Sequence, residues 1–168
     1  MTVTVTFQEN KMARPIVGET SPAFTLKTGD GTTISSSDYT GNKAIVLYFY
    51  PKDDTPGCTR EACDFRDLEA EFAAAGAVIF GVSKDSEASH AKFSGKFSLN
   101  FPLLSDPDGA VCEAFGVWVE KMNYGKKYMG IERTTFVIGK DGAIKAVFPK
   151  VKVDGHAAKV LTAVKDAE

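Results

Sequence analysis

Cys58 stands where a thiol can become a nucleophile. It follows the turn-forming run Pro51-Lys-Asp-Asp-Thr55-Pro-Gly57 and opens a stretch with helical periodicity. A sulfur at a helix start faces backbone N–H groups that have no intrahelical carbonyl, and it sits at the positive end of the helix dipole. Both favour thiolate over thiol, and the thiolate is the reactive form. A core cysteine rarely sits behind Thr-Pro-Gly, so the expected chemistry is attack by sulfur. Cys63 follows with four residues between the two thiols. On a continuous helix that spacing is about 140° of rotation and about 7.5 Å of rise, which sets the Cα atoms about 8.7 Å apart. A disulfide needs them within about 7 Å, so the pair can bridge only if the first helical turns unwind; otherwise Cys63 is a bystander. Gly57, Thr59 and Asp64 are weak helix formers and lower the cost of such opening. Cys112 shares an apolar helix face with Val111 and Phe115 and reads as a core residue, with a reserve role as a partner for Cys58.

These thiols need a scaffold, and the hydrophobic pattern supplies one. Ala44-Ile-Val-Leu-Tyr-Phe49 is apolar, β-branched and aromatic, too short for a helix, and reads as a buried strand. The helical pattern from Cys58 to Ala75 places Ala62, Phe65, Leu68 and Phe72 on one face and stops at Gly76. Ala77–Val82 is the next strand, completing a βαβ unit of the usual right-handed kind. Ser86 is a good N-cap for a helix running through Phe97. Phe101–Leu104 is a short strand, and Asp106-Pro107 introduces a helix ended by Gly116. Val117–Ile131 shows no clean period and reads as a long surface loop. Thr134–Ile138 and Ile144–Phe148 flank Lys140-Asp-Gly142 as a hairpin, and an amphipathic helix runs from about Asp154 to Ala167. Upstream, Phe24–Lys27 and Thr32–Ile34 flank Gly29-Asp-Gly31 as a small hairpin.

The order β-α-β-α-β-α-β-β-α fits a thioredoxin-like α/β fold with an N-terminal hairpin extension, one domain over residues 15–168 behind an arm of residues 1–14. In that topology the closing hairpin joins the sheet antiparallel to Ala44–Phe49. The start of Thr134–Ile138 then lies beside the end of Ala44–Phe49, and Arg133 comes close to Cys58.

Composition removes several function classes. With 168 residues, 43% hydrophobic and 25% charged, the chain is long enough for one well-filled core and is not a disordered sequence. A formal net charge of -2 with signs mixed along the chain gives no footprint for nucleic acid. No apolar run approaches the ~20 residues that span a bilayer. Met1–Lys11 has neither a basic segment nor an apolar block of the secretory kind, so the expected location is the cytoplasm. Three cysteines do not make a disulfide framework. Without paired C-x2-C knuckles or clustered histidines, no metal site is expected. His90 and His156 fall on segments that read as exposed helix, and neither is assigned a role. Glu61, near the helix start, reads as offsetting the dipole.

Pro51-x3-Thr55-x2-Cys58 resembles the active-site signature of peroxiredoxins. The longer string Tyr48-Phe-Tyr-Pro-Lys-Asp-Asp-Thr-Pro-Gly-Cys-Thr-Arg-Glu-Ala-Cys63 is similar to the subgroup called peroxiredoxin Q or bacterioferritin comigratory protein. The likeness runs from about Val17 to the last helix and includes Leu104–Gly109, Tyr124–Gly130 and Arg133–Ile138; Trp118 and the aromatic Tyr124–Met129 loop read equally as lining of a substrate mouth and as surface packing. Arg66 also follows the subgroup pattern. The resemblance implies a thiol peroxidase without cofactor, acting on hydrogen peroxide and small organic hydroperoxides. It implies Cys58 as the peroxide-attacking thiol and Cys63 as the resolving thiol, joined in an intramolecular disulfide that thioredoxin or a similar dithiol reduces, in a monomer. Residue chemistry agrees with the implied site. The Thr55 hydroxyl can donate to peroxide while accepting from a backbone N–H, and the Gly57 and Cys58 N–H groups can hold oxygen or sulfur. Arg133 brings fixed donors and a permanent charge, and the Pro51 ring can screen the sulfur from water. Two other classes remain. A disulfide oxidoreductase normally uses C-x-x-C, against which the longer spacer speaks, and a non-enzymatic holdase would be indifferent to Cys58.

Overall fold

The computed structural model describes residues 14–167. The expected N-terminal arm, apart from Arg14, lies outside the described residues. Strand β3 (Ala44–Phe49) is buried along its whole length, because both faces of the sheet are covered at that point. Its alternating side chains feed two cores. Ala44, Val46 and Tyr48 point into one, and Ile45, Leu47 and Phe49 into the other.

The first core packs under α1 (Pro56–Ala74), α2 (Glu87–Phe97) and α4 (His156–Asp166), through Ala62, Phe65, Phe93, Val160 and Val164. The second packs under α3 (Ala110–Ala114) through Cys112 and joins Phe24, Phe80, Phe115 and Phe136. Seven strands form the main sheet in the order β2-β1-β5-β4-β3-β8-β9. These are β1 (Thr25–Thr28), β2 (Thr33–Ser35), β4 (Ala77–Ser83), β5 (Leu103–Ser105), β8 (Thr134–Ile138) and β9 (Ile144–Phe148) around β3. Strands β3, β4 and β5 run parallel, with crossovers through α1 and α2. The architecture is the expected thioredoxin-like α/β fold with its N-terminal hairpin, β1–β2, added to the sheet.

Two features matter for the site. Strand β8 pairs antiparallel with β3 in a register that sets Phe49 opposite Thr134. The residue before β8 is therefore beside the turn that leaves β3, as the topology requires.

The second is a correction. Val117–Ile131, expected to be a loop, forms a separate two-stranded sheet of β6 (Trp118–Asn123) and β7 (Lys126–Ile131). Asn123 pairs with Lys126 across a two-residue turn in which Tyr124 has φ 51° and Gly125 φ 78°. Positive φ at both central positions is the hairpin turn whose twist matches its strands, normally marked by Asn-Gly or Asp-Gly. Here Tyr124 takes the left-handed position, and most of the ribbon is exposed on both faces. Neither the turn chemistry nor an alternating pattern advertised it.

Candidate active site

Strand β3 ends at Phe49, and Tyr50–Thr55 turn the chain into α1. Thr55 is the N-cap residue and Pro56 follows in the first helical turn. Proline fits there, since its missing N–H would have had no helical partner. Cys58 comes next but one, buried to 1% exposure. Helix geometry leaves the Gly57 and Cys58 N–H groups without intrahelical carbonyls, while the Thr59 N–H makes the first helical bond to Thr55 at 2.8 Å.

Arg133 arrives from β8. Its Nη2 donates to the Cys58 sulfur at 3.3 Å, and its Nη1 donates to Glu61 Oε1 at 2.7 Å. One rigid guanidinium fork thus spans the Cys58 sulfur and the Glu61 carboxylate. Negative charge on sulfur is stabilised by the full positive charge in contact with it, in surroundings where screening by water is weak. Gly57 is part of this arrangement. A Cβ at that position would stand 3.2 Å from Arg133 Nη2, so a side chain there crowds the guanidinium away from the sulfur.

Glu61, which the sequence suggested only offsets the helix dipole, is instead a buried partner of Arg133. It lies on the same face of α1 as Cys58, is 1% exposed, and its second oxygen, Oε2, has no hydrogen-bond partner. His156 Nε2 is 3.9 Å from that oxygen but is paired with the Thr135 hydroxyl at 2.8 Å. Burial, aided by the Arg133 charge, lowers the His156 pKa to about 4, so the imidazole is neutral and supplies no second cation. Burial raises the Glu61 pKa to about 7 against the opposing pull of Arg133.

An acid whose folded pKa lies above its unfolded value binds an extra proton in the native state between the two. Its stabilising effect is present below about pH 4.5 and is lost as pH rises through about 7. The expected result is a urea midpoint that falls across this window by an amount worth up to about 3 kcal/mol, and a Glu61→Gln variant in which this component of the slope is gone. Equal slopes in the two proteins would show that Glu61 does not titrate there.

The remaining predicted site residues are placed less uniformly. Thr55 is at the helix start, but its hydroxyl donates to the Lys52 carbonyl at 3.1 Å and accepts no helical N–H. The expected acceptor role is thus not made in this state, because the hydroxyl turns back into the loop. Pro51 is exposed at the beginning of that loop. Cys63 is half-buried on the same uninterrupted helix as Cys58, and all three thiols are free. Cys112 is buried in the core on the other face of the sheet from Cys58. Burial, reinforced by Asp106, pushes its thiol pKa far up. Both histidines correct the sequence reading. His90 is fully buried and His156 nearly so, each on the apolar stripe of its helix. Among the described residues no cluster of three His, Cys, Asp or Glu side chains is placed to hold a metal ion.

The profile of the AhpC/TSA family matches residues 17–147. A Bacillus subtilis protein, peroxiredoxin Bcp, is 53% identical over 150 residues, covering 89% of this chain and 95% of the relative. A putative peroxiredoxin bcp of Coxiella burnetii is 57% identical over 145 residues, with coverages of 86% and 95%. This chain is a peroxiredoxin of the Bcp/PrxQ subgroup.

As a peroxiredoxin it is a thiol-dependent peroxidase. The solved PrxQ of Xylella fastidiosa superposes on this peroxiredoxin with a TM-score of 0.87 at 41% identity, over 92% of this chain and 98% of the other. The bacterioferritin comigratory protein of Xanthomonas campestris, for which alkyl peroxide reduction is described, superposes with a TM-score of 0.82 at 48% identity, over 86% and 92%. No described helix of this peroxiredoxin is long and apolar enough to cross a membrane.

Proposed function

We propose that this peroxiredoxin reduces hydrogen peroxide and small organic hydroperoxides through Cys58, with Cys63 as the resolving thiol. The observation that carries the reading is the 3.3 Å contact between Arg133 Nη2 and the Cys58 sulfur. The Cys58 thiolate attacks the nearer peroxide oxygen in line with the O–O bond. That bond breaks, the departing oxygen takes a proton and leaves as water or an alcohol, and Cys58 becomes a sulfenic acid. Arg133 supports the negative charge on sulfur and on the departing oxygen. The Gly57 and Cys58 N–H groups offer donors to the peroxide, and the Thr55 hydroxyl becomes one by leaving the Lys52 carbonyl. Pro51, which has no N–H of its own, is exposed in the loop leading to Cys58, and its ring would screen the sulfur from bulk water. The alkyl peroxide activity of the Xanthomonas relative favours organic hydroperoxides as well as hydrogen peroxide.

The Cys63 thiol then condenses with the sulfenic acid, expelling water and leaving a disulfide. Because both residues lie on α1, the helix start must unwind first. That start is weakly secured. It has no side-chain cap bond and no acidic residue in its first turn, and a missing cap is worth about 1 kcal/mol. Further along, Phe65 is fully buried and stacked on Tyr48 with ring centroids 4.7 Å apart, which limits how far unwinding spreads. Cys112, across the sheet, is the poorer resolving partner. A dithiol protein of the thioredoxin kind would reduce the disulfide by exchange. The reading is of a cytoplasmic monomer with one catalytic domain over residues 15–168.

Peptide mapping by mass spectrometry after one equivalent of peroxide tests this directly. The expected product joins Cys58 to Cys63 within one chain. A bond from Cys58 to Cys112, or between chains, overturns the resolving step. Correspondingly, Cys63→Ser is expected to consume one equivalent of peroxide at the parent rate, while turnover with thioredoxin drops by about tenfold or more, since no dithiol-reducible intramolecular bond forms.

A further inference from the structure

The loop that presents Cys58 is tied down by groups that the chemistry above leaves unused. Within residues 51–55 only Asp53 is buried. Its carboxylate accepts from the Tyr50 hydroxyl at 2.6 Å and the Ser89 hydroxyl at 2.7 Å, and lies 2.8 Å from His90 Nδ1. Its backbone N–H donates to the Asp85 carboxylate at 2.9 Å. His90 Nε2 lies 3.0 Å from the Leu104 carbonyl. A carbonyl oxygen only accepts, so Nε2 carries a proton. Nδ1 faces the Asp53 carboxylate, and this one short contact joins the catalytic loop to α2.

We propose that Asp53 and His90 are positioning residues for the peroxidase reaction. Their pair clamps the Tyr50–Thr55 loop to α2. It thereby sets the balance between the folded site, competent to attack peroxide, and the unwound start of α1, competent to form the Cys58–Cys63 bond. The proposal rests on the roles given above to those two cysteines. Asp54 has φ 59°, a left-handed conformation that outside glycine is commonest for Asn and Asp and that shapes the turn before Thr55. Its carboxylate is paired with Lys96 Nζ at 2.8 Å, again on α2. Both acidic residues before Thr55 therefore reach α2, Asp53 through buried hydrogen bonds that carry the clamp and Asp54 through an exposed ion pair that adds little. Releasing the clamp lowers the fraction of molecules with a folded site. The peroxide step slows in proportion to that fraction, and the sulfenic acid is captured by Cys63 sooner.

The two steps are separated by rapid mixing of the full chain with hydrogen peroxide, acid quench and mass spectrometry of Cys58. In Asp53→Ala the formation of sulfenic acid is expected to slow about tenfold or more, in proportion to the lost folded fraction, with its conversion to disulfide unchanged or faster. The yield of sulfinic acid at excess peroxide is expected to fall by about threefold, because a second peroxide then finds less lingering sulfenic acid.

Asp53→Asn is the conservative rescue. Its amide N–H can donate to Nδ1 of a neutral His90 while its oxygen accepts from Tyr50, and both rates are expected within about threefold of the parent. An Asp53→Ala protein that matches the parent in both steps, or slows both alike, overturns the proposal. So does an Asp53→Asn protein as slow as Asp53→Ala. If Asp53→Ala proves unfolded, Ser89→Ala carries the test, removing one donor to Asp53. A roughly twofold to fivefold loss confined to the first step supports the clamp, and an unchanged first step overturns it. A parent protein that forms no sulfenic acid on Cys58 overturns instead the reading of the site on which the proposal stands.

Discussion

Cys58→Ser is expected to abolish peroxide turnover, leaving only the background rate of the reductant with peroxide. A serine oxygen sits slightly closer to its Cβ than the sulfur does but remains an acceptor for Arg133 Nη2, whose bond to sulfur is 3.3 Å. A hydroxyl stays protonated near neutrality, however, and has no counterpart of the sulfenic acid through which the oxygen is carried away. The fold has little reason to object. The swap exchanges one acceptor for another under the same guanidinium, and an altered hydrogen bond is worth about 1 kcal/mol, or about 2–4 °C of melting temperature in a domain of this size. Lost activity with a nearly unchanged melting curve therefore assigns the chemistry to this sulfur. Retained turnover would move the chemistry to Cys63, which is half-buried, since Cys112 is sealed in the opposite core.

The site was legible in part because its parts announce themselves at different ranges. Cys58 stands out from its immediate neighbours, since a thiol behind Thr-Pro-Gly at a helix start has a local physical meaning. Arg133 was reached only through topology. It is 75 positions from Cys58, and the inference required that β8 run antiparallel beside β3, which it does with Phe49 opposite Thr134. Glu61 shows where reading a helix start by its dipole falls short. It sits on the stripe of α1 that also carries Cys58, Ala62 and Phe65, all buried. A carboxylate on a buried stripe demands a cation, and that cation comes from a distant strand.

His90 and His156 could have been read better. His90 shares its helix face with Phe93, and His156 shares its own with Val160 and Val164, so the apolar period already placed both imidazoles inside. Their polarity concealed the pattern, because a buried histidine is tolerated only with partners that sequence does not display: Asp53 and the Leu104 carbonyl for one, Thr135 for the other. The β6–β7 ribbon was invisible for a different reason. A strand exposed on both faces has no need to alternate, and its turn uses tyrosine where asparagine is usual.

Arg133→Ala is expected to slow sulfenic acid formation by about 10²–10³-fold, the usual loss when a donor aimed at developing charge is removed. It also has a second consequence that must be separated from the first. Glu61 would be left buried without its cation, its pKa would rise beyond about 7 so that it takes up a proton, and the lost charge-assisted bond costs about 1.5–3 kcal/mol of stability. A slow variant could therefore be slow because it is damaged. Adding Glu61→Gln to Arg133→Ala removes the one group there that can still ionise, so the double variant is expected to recover stability at alkaline pH, where Glu61 would otherwise be forced to lose its proton. It should recover none of the rate, because the sulfur still lacks its donor. Arg133→Lys gives the complementary result. The charge is kept, but a single ammonium cannot reproduce the fork that now reaches the sulfur and Glu61 together, and a loss of about tenfold or more is expected. Should Glu61→Gln restore the rate in the Arg133→Ala background, the unpartnered buried acid rather than a missing donor would be the cause of the loss, and the guanidinium would be a structural partner of Glu61 with no part in activating the thiol.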